Sequence, residues 1–91
     1  MSARNHIIVN GRVQGVGFRY FVQNEAVAAG ITGWVRNTAS GAVELEAQGS
    51  PRALEPFVEA VARGCFLSRV SQVDRSVIPV VDGDTEFHVR F

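Results

Sequence analysis

The chain has 91 residues, nine basic and nine acidic, for a net charge of zero, with 46% apolar and 20% charged residues. These values fit one globular domain, residues 1–91, burying roughly 60–65% of the surface its unfolded form exposes. They exclude disorder and coiled coil, and they leave no overall field that favours nucleic acid or an anionic membrane.

All nine basic residues are arginine, so no lysine nucleophile, Schiff base or P-loop lysine is available. Cys65 is the only cysteine, which rules out an intrachain disulfide and a cysteine metal cluster. With one reducible thiol and no apolar run of signal-peptide or membrane-span length, a cytoplasmic location is expected.

Taken in chain order, His6–Val13 (HIIVNGRV) alternates as a half-buried strand. Gln14 to Gly17 form a glycine-rich connection. Phe18–Ala29 then places Phe18, Val22, Ala26 and Ala29 on one helical face, with Gly30 as C-cap. Ile31–Asn37 is β-branched and aromatic, a second strand. Residues 38–41 (TASG) have turn chemistry, and Ala42–Gln48 alternates as a third strand, hairpin-paired to the second.

Ser50-Pro51 marks a helix start. Leu54, Phe57 or Val58, and Val61 repeat at helical spacing up to Gly64. Arg69–Val81 contains a fourth strand with Pro79 near its end. Asp82-Gly83-Asp84 turns the chain, and Phe87, Val89 and Phe91 alternate in a short fifth strand.

The order β-α-β-β-α-β plus a short C-terminal strand predicts an α+β, ferredoxin-like split βαβ sandwich with two helices on one face of an antiparallel sheet. A right-handed crossover makes strands one and two run in the same direction, so both end on one edge of the sheet. With strand three between them, these ends lie about 10 Å apart, two strand spacings. Asn37 shares parity with Ile31 and Val35 and is expected to lean toward the helices.

That edge carries chemistry. Glycines at a strand-to-helix junction let backbone N–H groups turn inward as an anion-binding nest, and the helix N-terminus adds partial positive charge. Arg19 in the first helical turn runs against the helix dipole, which prefers acids there. A doubly charged anion held between them reconciles the two, giving a phosphate or carboxylate cradle. Taken as composition alone, such a turn is more often a tight connection, and an asparagine before a turn more often bonds its own backbone. The convergence of Arg19 and Asn37 on one edge favours a site. The pattern is neither a Walker A loop nor G-x-G-x-x-G, which disfavours a nucleotide enzyme. His6 and His88 lie in strands with no third ligand nearby in sequence and read as structural.

Gly11 to Arg19 (GRVQGVGFR) followed by Gly33 to Asn37 (GWVRN) resembles the two signatures of the acylphosphatase family. The similarity continues through Gly41-Ala-Val-Glu44 and Glu46-Ala-Gln-Gly49, and the element order fits from end to end. The resemblance implies hydrolysis of the carboxyl–phosphate bond of small acyl phosphates without metal or cofactor. It implies that Arg19 binds phosphate together with the amides of Gly15, Val16, Gly17, Phe18 and Arg19, and that Asn37 orients the attacking water. No protein nucleophile is needed, which leaves Ser40 and Cys65 as turn or core residues.

Two departures from the family pattern stand away from these residues: Gly64-Cys65-Phe66-Leu67 replaces a Gly-Pro-rich turn, and the chain ends on Phe91 rather than tyrosine. The alternative function is a phosphate-binding regulatory module of the same fold that does no turnover. RNA binding fits poorly, because the third strand presents Glu44 and Glu46 where paired aromatics are required. A neutral domain of this size is expected to be a monomer.

Overall fold

A computed structural model describes residues 1–91. Its elements are β1 (Ala3–Arg12), α1 (Phe18–Ala29), β2 (Thr32–Asn37), β3 (Val43–Gly49), α2 (Pro51–Arg63), β4 (Arg69–Ile78) and β5 (Phe87–Arg90). The strands form one sheet in the order β4-β1-β3-β2-β5, with both helices on one face. This is the expected ferredoxin-like arrangement.

Alternation along each strand sorts the residues. Ile7 and Val9 of β1, Val43, Leu45 and Ala47 of β3, Val35 of β2 and Phe87 of β5 face the helices and are buried. They pack against Phe18, Val22 and Ala26 of α1 and Leu54, Phe57, Val58 and Val61 of α2 in one apolar core. Both Phe57 and Val58 are buried, because the apolar stripe of α2 is wide enough for two adjacent positions. The Ser50 hydroxyl accepts from the Ala53 amide at 3.1 Å, and Pro51 occupies the first turn of α2.

Among the differences from the sequence reading, two have a clear physical cause in the sheet. The first strand begins at Ala3 rather than His6, because Arg4 and Asn5 are polar yet buried, which hides the strand's start from an apolar–polar pattern. The Arg4 guanidinium lies on the face without helices and donates to Glu46, Gln48 and Asp84 at 2.8, 3.1 and 2.8 Å.

The second difference is that the sheet is mixed rather than antiparallel: β5 adds to β2 in parallel. The cause lies in residues 79–86. β4 and β5 occupy opposite outer positions, separated by about 19 Å of sheet (four strand spacings). The connection crosses along the edge where β4 ends and β2 begins, and Gln48 pins it by exchanging two hydrogen bonds with the Val81 backbone at 2.8 and 2.9 Å. A strand launched from that edge can only run in the direction of β2.

As a result β1, β2 and β5 all finish at the opposite edge, with β3 between β1 and β2.

Candidate active site

Between β1 and α1 the chain turns through Gly15 and Gly17, with φ of 74° and 78°. A Cβ at either position meets nothing within 4 Å, so the left-handed backbone, not crowding, is what calls for glycine. Gly17 is the N-cap of α1 and supplies no side chain to the helix terminus; no acidic residue lies in the first turn. The first helical bond runs from the Phe21 amide to the Gly17 carbonyl at 3.1 Å. The amides from Gly15 to Tyr20 therefore donate to no protein acceptor, and they gather at the positive end of the helix dipole. Free amides, a helix N-terminus and an arginine in one turn are the parts from which an anion cradle can be made.

Arg19 is oriented by the far end of the chain. Its Nη1 donates to the Arg90 carbonyl at 2.8 Å, and its guanidinium lies over the Phe91 ring, 4.6 Å from the centroid. The Phe91 ring also meets Tyr20 at 6.5 Å. The alternation Phe87, Val89, Phe91 predicts a strand through Phe91, but β5 stops at Arg90, and Phe91 stays 91% exposed even with this stacking. Sequence reading missed the support given by Arg90 and Phe91. The signal lay in the direction of β5, which depends on how residues 79–86 cross the sheet.

Asn37 closes β2 and has the parity of Val35, toward the helices. Its Oδ1 is buried and has no hydrogen-bond partner. An unpaired buried acceptor costs about 1–3 kcal/mol, so it marks a position where something other than packing is served. Since β3 separates β1 from β2, the Asn37 strand end and the start of the cradle are about 10 Å apart.

Two side chains tie the cradle to its surroundings. Gln14 Nε2 donates to the Thr38 and Ala42 carbonyls, both at 2.8 Å. Cys65 Sγ donates to the Val16 carbonyl at 3.7 Å, backing the loop from the α2–β4 turn. In that turn the Ser68 hydroxyl accepts from the Cys65 amide at 2.8 Å, and Phe66 is left 98% exposed. Ser40 shares a hydrogen bond with Thr38 in the β2–β3 turn at 2.9 Å.

The histidines lie on the face without helices. His6 Nε2 contacts Glu44 at 2.6 Å, and His88 sits 3.9 Å from Glu86. The hydrogen bond from His6, joined by Arg36 and opposed by burial, holds the Glu44 carboxyl below the usual carboxylate range. A cleft of about 440 Å³ lies at the other edge of the sheet, lined by Gln23, Val27, Ile31 and Phe87 among others, and includes none of the cradle residues.

The family model described as Acylphosphatase matches residues 5–89. An acylphosphatase from Clostridium beijerinckii is 42% identical over 88 residues, covering 97% of this chain and 98% of the relative. One from Bifidobacterium longum is 52% identical over 79 residues, covering 87% and 81%. The crystal structure of acylphosphatase from Bacillus subtilis superposes with a TM-score of 0.94 at 44% identity over 100% of both chains. Sequence, fold and length agree along the whole chain, which belongs to the acylphosphatase family, hydrolases of acyl phosphates.

Proposed function

We propose that this chain hydrolyses the carboxyl–phosphate bond of small acyl phosphates with no metal, using Arg19 and the Gly15–Arg19 amides to hold the phosphoryl group and Asn37 to orient water. The observation that carries the reading is the buried, unpartnered Oδ1 of Asn37 at the same edge as a loop of undonated amides. An acceptor without a donor is what a water O–H satisfies, and the amide Nδ2–H2 of the same side chain can donate to the water oxygen or to substrate.

Asn37 cannot serve as a base near neutral pH, so its work is orientation. The water oxygen attacks phosphorus in line, the P–O bond to the acyl group breaks, and the carboxylate departs with the bonding pair. The water proton passes to a phosphoryl or carboxyl oxygen of the substrate itself. A carboxylate is a good leaving group, so positioning and charge stabilisation carry the catalysis. The loop amides and Arg19 neutralise charge on the equatorial oxygens, each charge-assisted hydrogen bond contributing about 1.5–3 kcal/mol. No side chain forms a covalent intermediate. The chain acts in the cytoplasm as a monomer and without nucleic acid; no helix is long and apolar enough to cross a membrane.

The test is turnover of acetyl phosphate and benzoyl phosphate with and without chelator. Hydrolysis well above the spontaneous rate, indifferent to chelator, is expected. Tight phosphate binding with no turnover would replace the enzyme by an anion-binding module. Activity abolished by chelator would overturn the metal-free mechanism.

A further inference from the structure

Gln14 stands one residue before the first left-handed glycine of the cradle, and its side chain reaches across the start of β3 to the β2–β3 turn. Both contacts of its terminal group, Thr38 O and Ala42 O, are backbone carbonyls at 2.8 Å. Only an NH2 group satisfies two acceptors at once, so the chemistry itself assigns the nitrogen to this position. Thr38 directly follows Asn37. Thr38 and Ala42 are in turn closed on each other by the bond from the Thr38 amide to the Ala42 carbonyl at 2.9 Å, and the Ala42 amide donates to the Thr38 hydroxyl at 3.2 Å. The turn is a closed unit, and Gln14 fastens it to the root of the phosphate loop.

No backbone ladder links the two halves of the site directly. β1 and β2 do not pair, and β3 lies between them. Gln14 is the side chain that spans this gap at the level of the site.

We propose that Gln14 is a positioning residue for acyl-phosphate hydrolysis: its carboxamide sets the Asn37-bearing strand end against the phosphate loop, so that its contribution to turnover is expressed through Asn37. The proposal rests on the assignment of Arg19 and Asn37 given above. A displacement of the order of 1 Å between a held phosphoryl group and its water costs roughly 10²-fold in rate. The phosphate loop has its own supports in Cys65 and the left-handed glycines, and Arg19 is seated separately on Arg90, so phosphate affinity is largely independent of Gln14.

The experiment is a double-mutant cycle with Gln14→Met, which keeps side-chain length and removes the donors, in the native and Asn37→Ala backgrounds. Gln14→Asn, a shorter amide unable to span both carbonyls, carries the same cycle if the methionine variant does not fold. Acetyl phosphate turnover, KM and inorganic phosphate affinity are measured, with thermal unfolding to certify the fold. The expected result is a kcat loss of about 10- to 100-fold with phosphate affinity within about threefold, and a loss below about threefold once Asn37 is already alanine.

Equal kcat losses in both backgrounds overturn the proposal, as does unchanged kcat, or phosphate affinity falling in step with kcat. Full turnover by Asn37→Ala alone overturns the Asn37 assignment, and the coupling with it. An additive cycle in an enzyme that does depend on Asn37 overturns the coupling only.

Discussion

The proposed mechanism divides the labour between Arg19 and Asn37 in a way that single substitutions can separate. There the arginine meets charge that substrate and inorganic phosphate share, so Arg19→Ala is expected to weaken phosphate binding and turnover together. The asparagine, in that mechanism, holds a water that matters only when a bond is being made. Asn37→Ala is therefore expected to lose about 10²–10³ in kcat, as on removing one oxyanion donor, while phosphate affinity stays close to native. Equilibrium titration with phosphate beside steady-state kinetics checks both. Unchanged phosphate affinity in Arg19→Ala sinks the anchor assignment. The Phe91 ring and the Arg90 carbonyl hold the guanidinium from two sides, which limits the side-chain entropy lost when it engages an anion.

At the scale of elements, the strand-to-helix turn is built for direction. An L-residue at a left-handed position costs about 1–2 kcal/mol, and the open space around Gly17 means Gly17→Ala meets no clash on top of this. The expected outcome is a stability loss of about 1–2 kcal/mol by denaturant unfolding. Phosphate binding is expected to fall by more than that strain accounts for, because the amides of Val16 to Arg19 rotate away together. Native-like phosphate affinity in a folded Gly17→Ala variant would count against the loop as the cradle.

What was legible in the sequence follows from the range of the interactions. Glycine spacing, the Phe18–Ala29 stripe, the Ser50 cap and the parity of Asn37 are local or periodic, and each occurs in the structure where the pattern placed it. The start of β1 was hidden because Arg4 and Asn5 are buried through long-range partners such as Glu46 and Arg75. The direction of β5 was hidden because it is decided by a connection that crosses the sheet. Roles at Arg90 and Phe91 were lost with it.

For the whole molecule, the face without helices is held by charge. Burial pushes the Arg4 guanidinium down, but its hydrogen bonds to Asp84 and Glu46 outweigh this and hold it above its ordinary value. Glu44, bonded to His6 and Arg36, is held below the usual carboxylate range. A carboxyl lowered by folding contributes stability above its unfolded pKa, and that contribution disappears as pH falls through the lowered folded value. Glu44→Gln is thus expected to cost about 0.5–1 kcal/mol at pH 7 and to flatten the acid limb of the stability curve below about pH 4. Urea titrations at pH 7, 5 and 3 decide it. A constant difference across all three excludes the ionised Glu44 as its source.

The bond between Arg19 and the Arg90 carbonyl spans 71 positions of sequence. Its consequence is topological: the seat of the arginine is made by the β5 backbone, remote in sequence from the glycine turn, so loosening β5 from β2 unseats Arg19 while leaving the turn's own conformation untouched.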